Sequence, residues 1–426
     1  MRTLRRLASN SLWSLIIQVA PRFADVALFI LIGRLDGPYR AGIFSLAIAY
    51  VSIVIAAMRG PDDFVTRHVL RAPDDAPAYF SAFFVLRVGI ALLAYGALVG
   101  IVVVGLEYEP LTAQVILLLS LGLIPENLIG IAQAMLLGQQ RFHIPAIVIL
   151  AVSLGKLGGG AAVLLMGGSL LHVALAWVAS SVMGMTVLVG VVWKEIGWAW
   201  PLDWHPIRGQ ARAIGVFLAI TVLLALESHV NTIVLSALRG EVDVGLYHAA
   251  TTVTFSLAML AQAYQIAVYP LMTRYAMAAP EKLSALYFAS LRLLGLFVLP
   301  VIALVWWSAP MVIPLIFSAG FQPAVRVLRI LIWALLFIFL NAPHARVMLV
   351  HDQQDKIVIF VAGSVLANML LNFALAPAWG AAGTAWARVI SSALFFAVSY
   401  IFVRRRLIPH SKNKIGLLSI LRELKC

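Results

Sequence analysis

Long apolar runs separated by short polar breaks make up most of the chain. Runs long enough for a hydrocarbon core of about 30 Å fall at residues 11–33, 41–60, 78–105, 111–137, 144–166 and 171–193. A second set follows at 212–238, 245–271, 285–308, 324–350, 356–377 and 380–403. The pattern predicts an all-α integral membrane protein of about twelve transmembrane helices, and an even count puts both termini on one side of the membrane. The breaks divide the chain into an N-lobe at 1–193, a connection at 194–211, a C-lobe at 212–403 and a basic tail at 404–426.

The two halves echo each other. "GRLDGPYRAGIFSLA" after the first run resembles "LRGEVDVGLYHAATTV" after the seventh. "AMLLGQQRF" before the fifth resembles "VMLVHDQQDK" before the eleventh, and "GGSLLHVALAWVASS" matches "WGAAGTAWARVISS" opening the sixth and twelfth. Three matches in the same order indicate an internal six-plus-six repeat and two pseudo-symmetric lobes, the architecture of many transporters, with a site expected near mid-membrane between the halves.

Composition agrees with this pattern. Of 426 residues, 62% are hydrophobic and 12% charged, with a mean hydropathy of +0.99, against about 25% charged in soluble domains. The basic start "MRTLRR" leads into an apolar run with no small-residue cleavage site, so a cleaved secretory signal is not expected. The net charge of +13 does not signal nucleic acid, because cytoplasmic loops of multispan proteins collect Lys and Arg. With a cytoplasmic N-terminus, the inside segments hold 20 basic residues and the outside segments four. Both termini are therefore expected in the cytoplasm. The one cysteine, Cys426, excludes an intrachain disulfide.

Charges inside the spans carry the candidate chemistry. Arg22, Arg87, Lys156, Arg292, Arg329, Arg346 and Arg388 all lie within apolar runs. A lipid-facing Arg or Lys at a helix centre costs about 2.5–3.5 kcal/mol, so these side chains should face one another, a hydrated cavity or the headgroups. Arg329 and Arg346 sit near opposite ends of one span and can snorkel. Arg22, Arg87, Lys156, Arg292 and Arg388 are deeper and are candidate cavity residues for a diphosphate or sugar. The deep acidic set is Asp25 and Glu227, with His229 beside the latter. These are candidates for proton or cation coupling, or for counter-charge. Arg22 and Asp25 are three positions apart on one helix face and can pair. Five cations against two anions favour an anionic substrate, which Arg grips bidentately.

Pro21 should bend helix one and so move Arg22 and Asp25 between states. Tyr264, Tyr269, Trp306, Trp307, Trp333 and Trp386 can stack on sugars, though such residues more often pack or form the interfacial belt. The glycine run at 155–160 allows close helix approach. The Asp pairs at 62–63 and 74–75 read as solvated residues of an inside loop. No phosphate-binding glycine motif, nucleophile elbow or zinc spacing occurs, so no cofactor, metal site or enzymatic activity is expected.

Several stretches also carry a family likeness: "VGLYHAATTVTFSLAMLAQAYQIAVYPLMTR", "MLVHDQQDKIVIFVAGSVLANMLLNFALAPAWGAAGTAWARVISS" and "GRLDGPYRAGIFSLA". They resemble polysaccharide flippases of the Wzx type, within the multidrug/oligosaccharidyl-lipid/polysaccharide exporter superfamily. The resemblance spans nearly the whole chain and is clearest at 230–403. It implies a two-lobed, alternating-access transporter in the cytoplasmic (inner) membrane. The implied substrate is a polyprenyl-diphosphate-linked oligosaccharide for O-antigen, lipopolysaccharide or exopolysaccharide synthesis. Membrane lipids and polysaccharide-assembly proteins would be its partners. The alternative within the superfamily is a proton- or sodium-coupled exporter of small molecules. The family has no invariant binding motif, so no site residue transfers by name.

Overall fold

The computed structural model describes residues 2–106, 108–202, 204 and 211–408. Among them every long element is a helix and no strand occurs. Within a bilayer the backbone has no water to bond, and a helix satisfies its N–H and C=O groups internally. In chain order the helices are α1 (Arg2–Arg71), α2 (Ala76–Gly100), α3 (Pro110–Ser120), α4 (Leu123–Gly138), α5 (His143–Leu165) and α6 (Leu170–Glu195). Then come α7 (Ala211–Arg239), α8 (Glu241–Ala278), α9 (Pro280–Ile316), α10 (Ala324–Leu331), α11 (Trp333–Val350) and α12 (Gln354–Phe402).

Among the described residues, ten helical stretches are long and apolar enough to cross a membrane. Two of them, Ser9–Met58 and Gln354–Leu407, have 50 and 54 residues. At 1.5 Å per residue each would run about 75–80 Å, far beyond a core of about 30 Å. Both are broken once, α1 at Gly37 (φ 81°, ψ −176°) and α12 at Gly380 (φ 55°, ψ −136°). Each therefore crosses twice, and the described residues supply twelve crossings. Pro21 does not break α1: the backbone there is helical, and the only departure is at Gly37. The segment 61–63, expected as part of a loop, is helix as well, because α1 runs on through Pro61, Asp62 and Asp63 to Arg71.

The repeat read from the sequence is present in the backbone. Gly240, between α7 and α8, has φ 84° and ψ −176°, the conformation of Gly37 within a few degrees. An i,i+4 ion pair brackets each glycine with the charges exchanged: Asp36–Arg40 at 3.2 Å and Arg239–Asp243 at 3.3 Å. The fourth and tenth spans are both split, into α3 with α4 and α10 with α11. Finally, α4 and α11 end in the same way. The Gln140 amide bonds to Leu137 and Arg141 to Leu136; the Asp352 amide bonds to Leu349 and Gln353 to Met348. Both are Schellman caps, with left-handed Gln140 (φ 61°) and Asp352 (φ 55°) as the turning residues.

The chain forms two compact units, Met1–Ile233 and Val234–Cys426. The division falls within α7, so the first part of that helix goes with the first unit. In this unit α1 packs on α4 and α5, and α5 and α6 lie side by side. Lipid tails give little hydrophobic drive for helices to associate, so close contact between small residues has to supply it. Here Gly155 and Gly159 face α6, where an added Cβ would stand 3.0 Å from Ser180 Oγ and 3.3 Å from Ala176 Cβ. In the second unit α8, α9 and α11 enclose a core of Ala258, Ala261, Leu294, Val298, Leu335 and Phe339. Leu93, Val104, Leu165, Ile266 and Leu296 are exposed, as lipid-facing residues should be.

Candidate functional site

In the first unit the split fourth span builds a polar cluster. α3 ends at Ser120 and α4 begins at Leu123. Trp177 of α6 packs against the break so closely that a Cβ on Gly122 would meet its ring at 2.5 Å. Glu126 lies in the first turn of α4, where the helix N-terminus favours a carboxylate. Lys156, brought close by the glycine face of α5, places Nζ 2.6 Å from Glu126 Oε1 and 3.6 Å from the Trp177 ring centroid. The Ser181 hydroxyl donates to the same Glu126 oxygen at 2.6 Å. Asp25 of α1 faces this group, with Lys156, Glu126 and Trp177 as its neighbours. Lys156 is thus paired with Glu126, with a second carboxylate, Asp25, nearby and a hydroxyl and an indole beside the pair. Chemically, such a group can hold or pass a cation or proton.

A second buried charge in this unit has a different character. Arg87 of α2 is 1% exposed and forms an ion pair with Asp62 of α1. Its Nη1 donates to the Asn127 carbonyl at 2.9 Å and its Nη2 to the Met58 carbonyl at 3.1 Å. Gly130 makes the room, since a Cβ there would stand 2.9 Å from Arg87 Nη1. Through these bonds the guanidinium fastens α1, α2 and α4 together.

The remaining candidates are placed as follows. Arg22 of α1 is exposed and forms no ion pair with a described residue, so the pairing with Asp25 expected from their spacing does not occur. Glu227 and His229 are half-buried on α7. In the second unit Arg292 of α9 is exposed. Arg388 of α12 is buried at 7% exposure, with its guanidinium 5.6 Å from the Phe255 ring. Arg346 donates through Nε to Gln265 at 3.2 Å and lies over Tyr269, while Arg329 donates to the Trp306 carbonyl at 3.1 Å and lies over its ring.

Of the expected site residues, only Asp25 and Lys156 come together within one cluster. Two carboxylates alter the charge balance read from the sequence. Glu126 stands in "LIPENLIG", inside the fourth apolar run, and Asp62 lies in helix rather than in loop. Counting both reduces the deep cationic excess from three to one. The signal for Glu126 is a lone acid in a long apolar run; Asp62 is hidden by the three-residue "PDD", which reads as a turn.

Comparison with known proteins adds the family. Residues 64–326 match the family described as "Polysaccharide biosynthesis protein". No curated protein matches. Among solved structures the chain resembles an inward-facing multidrug resistance MATE family transporter of the MOP superfamily. That likeness has 14% identity, covers 95% of this chain and 96% of that one, and gives a TM-score of 0.74. It also resembles the lipid II flippase MurJ in an inward closed conformation (13% identity, 97% and 96% covered, TM-score 0.71). A third likeness is to an MOP superfamily transporter from Pyrococcus furiosus (16% identity, 94% of both chains, TM-score 0.61). The split spans and paired glycine breaks are thus set in a fold similar to that of these solved transporters, and the chain belongs to the polysaccharide biosynthesis protein family.

Proposed function

We propose that the protein is a transporter that flips a polyprenyl-diphosphate-linked oligosaccharide, a polysaccharide repeat unit, across the cytoplasmic membrane by alternating access. Its lobes would be residues 1–193 and 212–403, with both termini in the cytoplasm. One observation carries the anionic substrate: Arg22 and Arg292 lie deep in their helices and exposed, without an ion pair among the described residues. Arg22 lies eleven positions into its apolar run at 11–33 and Arg292 seven positions into its run at 285–308, or about 10–17 Å of helix. An unpaired guanidinium at that depth is tolerated facing water or an anion, not lipid. Each unit contributes one. Arg388 would add charge from within the second unit, whereas Arg87 is a positioning residue held by Asp62. Asp25, Glu126 and Lys156 would couple transport to a cation, with Glu227 and His229 as further titratable groups on α7.

The polar cluster also favours a second reading, a cation-coupled exporter of small molecules, because two carboxylates facing one lysine suit a proton or sodium ion. Proteoliposomes separate the two. Wild-type chain should speed exposure of a polyprenyl-diphosphate oligosaccharide to an external lectin, and Arg22→Ala and Arg292→Ala should slow it. Gradient-driven dye export without oligosaccharide movement would overturn the flippase reading.

A further inference from the structure

The second unit carries a cleft to which no role has been given. α9 and α10 meet there, at the end of the unit where α7 turns into α8 and where α12 breaks at Gly380. Arg239 reaches the Pro377 carbonyl at 3.5 Å across that end. The cleft has a volume of about 610 Å³ and is lined by Trp306, Trp333 and Trp386, with Arg326, Arg329 and Gln322 among its polar residues. Among the described residues, no carboxylate lines it. The three indoles keep 40–44% exposure, and the Trp306 ring lies under the Arg329 guanidinium. Arg329 is held in place: its Nε donates to the Trp306 carbonyl at 3.1 Å and its guanidinium lies 4.5 Å from the Trp306 ring. Its Nε is thereby used, and no hydrogen bond of its terminal amino groups is found among the described residues. Arg326 is exposed one turn earlier on α10.

From this we propose that the cleft binds an acidic sugar, a pyranose ring stacked on tryptophan with its carboxylate held by Arg326 and Arg329. Indole faces suit the apolar C–H face of a sugar, and two guanidiniums without a counter-charge select an anion. A tryptophan of the interfacial belt has no need of a concave wall or an anchored arginine. The inference rests on the transport reading and sharpens it, since the glycan would carry uronic acid or a similarly charged residue. In that topology the cleft faces the outside, where it would receive the glycan as it emerges.

Calorimetric titration of the full chain in phosphatidylcholine nanodiscs tests the assignment, with a glucuronate-containing tetrasaccharide and its carboxyl-reduced analogue as probes. The acidic probe should bind about tenfold or more tightly than the reduced one, the effect of one charge-assisted hydrogen bond. Arg326→Gln and Arg329→Gln should each abolish that preference, while Trp386→Ala weakens both probes. Equal binding of the two probes, or binding of neither, overturns the proposal. So does loss of binding in discs containing phosphatidylglycerol, which would make the cleft a lipid-headgroup site. Failure of wild type to flip any carrier would sink the transport reading, while acidic-sugar binding is scored independently.

Discussion

The Arg87–Asp62 pair shows how a membrane protein keeps a full charge inside a helical unit. The guanidinium is 1% exposed, and Asp62 with the Met58 and Asn127 carbonyls supplies its acceptors. Removing one partner of a buried pair leaves a bare charge and costs about 3–5 kcal/mol, whereas replacing both by apolar residues is close to neutral. Asp62→Ala should therefore lower the thermal unfolding midpoint in detergent markedly, and Arg87→Met with Asp62→Leu should recover most of it. Failure of the double variant to recover would show that Arg87 does more than fasten helices. The Lys156 cluster behaves differently. Lys156→Met strips Glu126 of its ion-pair partner and leaves Asp25 with only a like charge nearby, while Glu126→Gln keeps the attraction between Lys156 and Asp25. The first variant should lose more stability than the second in the same assay, and the reverse order would refute this geometry.

Helix ends and breaks separate what a sequence can show from what it cannot. Hydropathy locates the spans, because a run of about 20 apolar residues matches the thickness of the hydrocarbon core. It does not reveal that the first and second spans form one helix with a single broken residue, since a short polar break and a glycine hinge look alike in hydropathy. Pro21 keeps helical dihedrals, and the chain breaks at Gly37 and Gly240. Their conformation is open essentially to glycine alone, and another residue there costs of order 1–3 kcal/mol. A Cβ would meet nothing within 4 Å at either position, so strain is the whole effect. At Gly380 it would also meet Asp243 Oδ2 at 2.7 Å. Gly37→Ala and Gly240→Ala should destabilise by similar amounts and Gly380→Ala by more. Gly89→Ala, in the regular part of α2 with open space around it, should be neutral or mildly stabilising. Equal losses at all four positions in a thermal unfolding series would remove the backbone argument.

At the scale of the whole molecule, the distribution of charge sets the orientation. Long-range pairing limits what a sequence can tell about the site: charge counts along the chain omit partners such as Asp62 and Glu126, which reach their cations from other helices. Loop charge needs no partner, and there the asymmetry is large, 20 basic residues on one side of the expected topology against four on the other. Twelve crossings put both ends of the chain on the same face, and the positive-inside rule predicts that this face is the cytoplasmic one. The sequence supplies its own probe, because Cys426 is the only cysteine. A membrane-impermeant maleimide should label the native chain in inside-out vesicles and leave it unlabelled in intact spheroplasts, with no mutation required. Labelling in intact spheroplasts would place the C-terminus outside. The twelve-crossing count or its orientation would then fall, and with it the assignment of the tryptophan cleft to the outer face.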